Sequence, residues 1–455
     1  MKKYKIIFLL LTGVFAVNSC NDSDLELSDP NQITPDTYFA NEAQVQAAVN
    51  AAYANLQTVA LYGRLIWYMM DNMSQENQDN PQMEPDKRTF KEFTFNSTNG
   101  EIRDYWDSCF RGINKANFVI GNAAIIDGIP EQKLSNTNRL KFYAEARFLR
   151  AQYYFMLVNR FGNVPLRNGD FTQPEGKAIS PKADVVSLII EDLEYASIHL
   201  LPKASEEKGR ANKEETEHGI ESVWEVQYDL TLGTGAKWDG PVVGAGQNHA
   251  TFRGQDYGNL NWFNSYPSDD LFDSYEAGDN RLNGTMYFVG DSYNNGNNIF
   301  TAAQFTAESE VKPRVWKKYQ NYYKQTDEAQ ESGINAKVIR YADVLLMMAE
   351  CENERPGGSQ SVAVGYINRV RDRADLDFLP TTLSKSQVFE AIVQERKVEL
   401  AGEQVRFDDL VRWGRAATFL AGTGFQAGKH ELWPIPDQEI SSNPNVTSDD
   451  QNPGY

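Results

Sequence analysis

Ala144-Glu145-Ala146-Arg147-Phe148-Leu149-Arg150-Ala151-Gln152-Tyr153-Tyr154-Phe155 lies inside a long run, about 136–160, with one strong periodicity. Leu140, Ala144, Phe148, Ala151, Phe155 and Val158 recur at intervals of 4, 4, 3, 4 and 3, which puts them on one buried face of an α-helix. The run stops at Phe161-Gly162-Asn163-Val164-Pro165, where Gly and Pro end a helix. The same reasoning predicts helices over 41–58 behind an Asn41 N-cap, over 102–124, and from Ser180-Pro181 to about Leu200. Helices return at 336–354, 361–374, 384–401 and 406–413, and Ser384 with Gln387 fits a capping box.

The stretch between these groups, 202–335, is rich in Gly, Asn, Asp and aromatic residues and has little helical period. Within it, Val223-Trp224-Glu225-Val226-Gln227-Tyr228 alternates and predicts a strand. The tail, 432–455, reads as extended and Pro-rich. The expected fold is therefore mainly α, with antiparallel helix pairs of the tetratricopeptide kind around an irregular, loop-rich centre. No strict repeat of about 34 residues is visible.

Composition narrows the function. Of 455 residues, 44 are Lys or Arg and 63 are Asp or Glu, a formal charge of −19. Such a surface repels phosphate backbones, so nucleic acid is not an expected partner. His199, His218, His249 and His430 are scattered and do not suggest a metal site. Cys109 and Cys351 sit in helical, apolar contexts and are expected to be buried thiols.

The N-terminus sets the compartment. Lys2, Lys3 and Lys5 precede an apolar run from Ile6 to Val17. That run is shorter than the ~20 residues a membrane-spanning helix needs, but it suits a signal peptide. It ends in Val17-Asn18-Ser19-Cys20, which resembles a bacterial lipobox, with Cys20 as the acylated residue. The acidic residues that follow, Asp22, Asp24 and Glu26, resemble the signal that carries Bacteroidetes-type lipoproteins to the outer cell surface. The expected organisation is a signal peptide at 1–19, an acidic tether at 20–40, a helical scaffold at 41–201, the irregular portion at 202–335, and C-terminal helices with an extended tail at 336–455.

Several motifs together carry a family resemblance. The helix quoted above continues into Arg160-Phe161-Gly162-Asn163-Val164-Pro165-Leu166. Ile339-Arg340-Tyr341-Ala342-Asp343-Val344-Leu345-Leu346-Met347-Met348-Ala349-Glu350, Ile367-Asn368-Arg369-Val370-Arg371 and Glu395-Arg396-Lys397-Val398-Glu399-Leu400 follow in order. Arg406-Phe407-Asp408-Asp409-Leu410-Val411-Arg412-Trp413-Gly414 and Gln451-Asn452-Pro453-Gly454-Tyr455 complete the set. Over nearly the whole chain this resembles the SusD/RagB family. The resemblance implies an outer-membrane lipoprotein with a tetratricopeptide scaffold. It also implies a TonB-dependent transporter as partner and a nutrient, usually a glycan, as cargo. One feature departs from the family. A further helix pair usually follows a Gly-Arg-Ala sequence, yet here Gly209-Arg210-Ala211 is followed almost at once by Val223-Trp224. Asn212 to Ile220 are too few for a repeat. The chain is then short by one repeat, with an internal deletion as the alternative.

Catalysis is not the expected role. Glu395, Glu399 and Glu403 share a helix face, and paired carboxylates can hydrolyse glycosidic bonds. Arg396, Arg406 and Arg412 lie beside them in sequence, which favours structural ion pairs. Asp291 to Asn298 is rich in oxygen ligands, but Tyr293 breaks the EF-hand pattern, so a polar loop is expected and no metal or cofactor.

A sugar offers an apolar C–H face and a rim of hydroxyls, which aromatic rings and amides match. The centre supplies Trp238, Tyr257, Trp262, Phe263 and Tyr266, interleaved with Asn248, Gln255, Asp256, Asn259 and Asn261. Near the N-terminal helices, Trp67 and Tyr68 precede Asp71, Asn72 and Asn77. Trp67, Asn72, Trp238, Trp262 and Tyr266 are the expected ligand-binding residues. Trp106, Trp224, Trp316, Trp413 and Trp433 are expected to be structural. Alternatives to a glycan carrier are peptide cargo in the same machinery, a surface glycoside hydrolase, and a scaffold that binds only protein.

Overall fold

The computed structural model describes residues 34–79, 83, 85–169, 176–202, 210–211, 222–229, 249–258, 263–307, 309–326 and 332–455. Trp238, Trp262, Asn248, Asn259, Asn261, Cys20 and the 212–220 stretch lie outside them.

Local chemistry sets the helix starts. Helix α1, Glu42–Leu56, begins where the Asn41 side chain accepts from the Gln44 N–H at 3.2 Å. Helix α2 is Leu65–Met73. Helix α3, Gly100–Ile120, is capped by Asn99, and helix α4, Asn136–Phe161, by Ser135. Helix α5 is Lys182–His199. Helices α3, α4 and α5 pack side by side, and α1 lies across α3 and α4. Gly112 lets α3 and α4 pack tightly: a Cβ there would sit 2.2 Å from the Tyr153 ring.

The family motif in α4 is explained by its contacts. Arg150 donates to both Asp192 oxygens at 2.7 and 2.8 Å and to Asn117 Oδ1 at 2.9 Å, so one guanidinium ties α4 to α5 and α3. Glu145 accepts two bonds from Arg210, at 2.7 and 2.6 Å. Arg160 pairs with Asp408, and its carbonyl accepts from the Trp433 N–H at 2.6 Å. Gly162 then turns the chain at a φ of +70°. The predicted stripe is incomplete, because Phe155 is 53% exposed while Ala144, Ala151 and Val158 are buried. Strand β2, Ser222–Val226, follows Ala211 and places Trp224 edge-on to Phe148, with ring centroids 5.0 Å apart.

Helices α6, Tyr341–Glu354, α7, Gln360–Arg373, and α8, Lys385–Glu399, form a second packed group with its own apolar core. The predicted box holds: Ser384 and Gln387 bond each other's backbone N–H. Two expectations are corrected here. Residues 336–340 form a strand, paired with β2, before α6 starts at Tyr341. Cys351 is exposed, as are Met347 and Met348 on the same helix, and of the two described cysteines Cys109 is the buried one. The tail contains a short helix, Asp437–Ser442, and is locked down by Asn452, which donates to the carbonyls of Phe161 at 2.9 Å and Trp433 at 2.6 Å. Trp106, Trp224, Trp316 and Trp433 are buried as expected, and Trp413 is half-buried. No helix among the described residues is long and apolar enough to cross a membrane.

Candidate functional site

Strand pairing joins the two regions nominated from the sequence. Strand β1, Asn77–Asp79, lies antiparallel to β3, Ser265–Pro267, with Gln78 opposite Tyr266. α2 leads into β1, and the segment from Arg253 to Tyr257 lies just before β3. Side chains lock the two together. Arg64 grips Asp256 through two bonds of 2.8 Å, and Asn264 adds a third at 2.7 Å. Burial alone pushes the Asp256 carboxyl up, but the Arg64 charge overrides it and holds the group below its usual range.

Deeper in, the Tyr257 hydroxyl donates to Asp71 at 2.6 Å, and Gln404 Nε2 donates to the same oxygen at 2.9 Å. Trp316 donates its indole N–H to Asn77 Oδ1 at 2.9 Å. Arg253 lies over three rings, 4.6 Å from the Trp67 centroid, 5.0 Å from Tyr257 and 3.9 Å from Tyr319. Its Nη2 donates to the Gly402 carbonyl at 2.6 Å. Glu76 accepts from the Gly402 N–H at 3.1 Å; burial first, then the Asp71 charge, pushes its carboxyl up to about 8.

The expected ligand residues take different places in this junction. Trp67 is 1% exposed, with one face covered by Arg253 and an edge-on contact to Tyr62. Asn72 is buried; it accepts from Asn77 Nδ2 at 3.0 Å and donates to the Met83 sulfur at 3.4 Å. Neither offers a free face here, because α2 is buried along its whole length. Tyr266 is buried in a satellite cluster with Phe263, Tyr287, Tyr293 and Tyr322, and the Lys312 ammonium lies 5.4 Å from its ring centroid. Tyr257 and Asp256 are also buried. The described nominees thus form the support of the junction. Sequence reasoning missed Arg253, Glu76 and Gln404, since nothing in their spacing marks residues joined only by the fold.

The candidate carboxylates for catalysis are held as ion pairs, though not by the arginines the sequence places next to them. Glu395 and Glu399 pair with Arg281 at 2.5 and 3.1 Å, while Glu399 and Glu403 pair with Arg340 at 2.7 and 2.6 Å. Against the upward push of burial, Arg340 and Arg373 hold Glu399 well below the usual carboxylate range. Arg396 turns instead to Asp409 and Asp343, at 2.7 and 2.6 Å, and Arg412 to Glu350 and Asp409. Arg406 donates to the Val393 carbonyl at 3.2 Å. Asp291 to Asn298 forms a hairpin whose polar groups bond one another: Asp291 accepts from the Phe288 N–H at 2.8 Å, and Asn294 donates to Asn298 at 2.7 Å.

Two family models match the chain. One, described as the SusD family, covers residues 220–455, and one described as "Starch-binding associating with outer membrane" covers residues 25–215. A SusD-like protein of Formosa agariphila is 28% identical over 521 aligned positions that span 100% of both chains. That alignment is longer than the chain's 455 residues, so the relative carries segments this chain lacks. A SusD superfamily protein from Bacteroides vulgatus has the same fold, with a TM-score of 0.76 at 23% identity over 92% of this chain and 100% of that one. A laminarin-binding SusD-like protein superposes with a TM-score of 0.72 at 24% identity, again over 92% and 100%.

Proposed function

The chain belongs to the SusD family, and from that premise we propose that it is a cell-surface lipoprotein that binds glycans and delivers them to a TonB-dependent outer-membrane transporter. The observation that carries this reading is the pairing of β1 with β3, which sets Asn77–Asp79, just after α2, beside Ser265–Pro267, while Tyr257 bonds Asp71 of α2. Loops held on a rigid scaffold are the usual place for recognition. In this reading Trp238 and Trp262 stack on the sugar, and Trp67, Asn72 and Tyr266 belong to the buried support of the junction. The family model's description, with its reference to starch and the outer membrane, supports the cargo class and the location. In this reading Cys20 is the lipid attachment point, and the acidic residues after it, Asp22, Asp24 and Glu26, direct the protein to the exterior face. Capture and hand-off need no chemistry, and the arginine-paired carboxylates support a binding protein over a hydrolase.

A polysaccharide panel run by affinity gel electrophoresis tests the reading. Retardation by a glycan without release of products supports it. Retardation by no glycan, with affinity for extended peptides, moves the cargo to peptides.

A further inference from the structure

We propose that the outer seam of α5 is a self-association surface, on which α5 of a second copy of this chain packs antiparallel. The helix carries two stripes, one residue apart. Val185, Ile189, Asp192 and Ala196 are its buried residues. That stripe faces α4, since Asp192 bonds Arg150 and Ala196 packs in one cluster with Ala144. One residue on, about 100° around the helix, Ala183, Val186, Ile190, Leu193 and Ser197 recur at intervals of 3, 4, 3 and 4. This is the spacing of a helix–helix seam. Ile190 is 52% and Leu193 42% exposed; Ala183 and Ser197 are exposed, and Val186 is half-buried.

The route of the chain explains why the seam is open. Ala211 packs in the cluster of Ala144 and Ala196, and Trp224 returns against Phe148 of α4. Only ten residues separate Ala211 from Ser222, so no helix pair follows α5 to continue the stack. The end of such a stack is normally polar on its outer side, and this seam is not. Two features favour a second copy as its cover. The seam is complementary to itself: about a two-fold axis between Ile190 and Leu193, Ile190 of one copy meets Leu193 of the other, Val186 meets Ser197, and each pair is made twice. Glu194, beside the seam, then falls opposite Ser187 rather than another acid, which matters in a chain of net charge −19. The adjoining stretches of the same chain suit the seam poorly. Of the 17 residues at 203–209 and 212–221, nine are charged, and Ile220 alone is a large aliphatic. A seam one ~27 Å helix long gives less than the ~1,200 Å² of a stable interface, so a dissociation constant on the order of tens of micromolar is expected.

Sedimentation equilibrium of the purified protein over about 1–200 μM brackets that constant and should show a reversible monomer–dimer equilibrium. Ile190→Glu/Leu193→Glu should stay monomeric over the same range. Its melting temperature should match the wild type's at a concentration where both are monomers, because the two side chains are exposed. Mixed with Ile190→Lys/Leu193→Lys, itself monomeric, the acidic variant should form a heterodimer. A wild-type protein that stays monomeric throughout overturns the proposal and leaves the seam to another protein or to the chain's own residues. A dimer that the acidic variant retains overturns the placement on α5. A lower melting temperature in the monomeric acidic variant means that the seam is packed within one chain, which also overturns it. Acidic and basic variants that fail to associate overturn the antiparallel pairing.

Discussion

The Tyr257 hydroxyl donates to the buried Asp71 carboxylate at 2.6 Å, joining residues 186 positions apart. This bond ties the irregular centre to α2. Tyr257→Phe keeps the ring and removes the donor, leaving a buried carboxyl with one partner fewer. Such a loss costs about 2 kcal/mol. Urea unfolding should show a lower midpoint with an unchanged slope, and an unchanged midpoint would mean the bond does not hold the junction.

Trp67 separates support from contact. Its ring is fully buried between Arg253 and Tyr62. Trp67→Ala should therefore cost about 3–5 kcal/mol of stability through the cavity it leaves. A variant that loses glycan affinity at unchanged stability would show that the ring is exposed to ligand in solution.

Glu76 sets a pH dependence. In the folded chain it keeps its proton up to about pH 8, against an ordinary value of 4.5. The folded state then binds more protons than the unfolded state between those values, so this contribution is full below pH 4.5 and falls as pH rises to about 8. Glu76→Gln should flatten the fall in melting temperature across that window. An identical slope in the variant would rule out Glu76 as its source.

The two helical thiols should differ in reactivity. Cys351 is exposed and Cys109 buried, with burial pushing the Cys109 thiol up. In native protein a thiol reagent such as DTNB should label Cys351 quickly, and Cys109 only after denaturation. Equal labelling rates would contradict the packing around α3.

The helices were legible because their signals are local. The periodicity of α4 and the box at Ser384 and Gln387 each lie within a few turns of chain, and both ends of α4 fall within a residue of the expected 136–160. The strand at Ala336–Arg340 was not legible, because it exists through pairing with Ser222–Val226, more than a hundred residues away. Exposure failed for the same reason. Met347, Met348 and Cys351 have the composition of a buried stripe, and Phe155 continues one, but composition does not say whether anything covers them. In the candidate site, spacing nominated two segments that the fold brings together. It could not show that α2 turns Trp67 and Asn72 inward, or that Arg253 from the other segment closes over the indole.

The central proposal is that the protein binds glycans and that Trp238 and Trp262 stack on them. The most direct test titrates the glycan that retards the wild-type protein, by calorimetry, into wild-type protein and Trp238→Ala/Trp262→Ala. The account predicts micromolar to millimolar binding by the wild type, and none by the double variant at an unchanged melting temperature. Equal affinity in both proteins would contradict it and place the binding surface elsewhere.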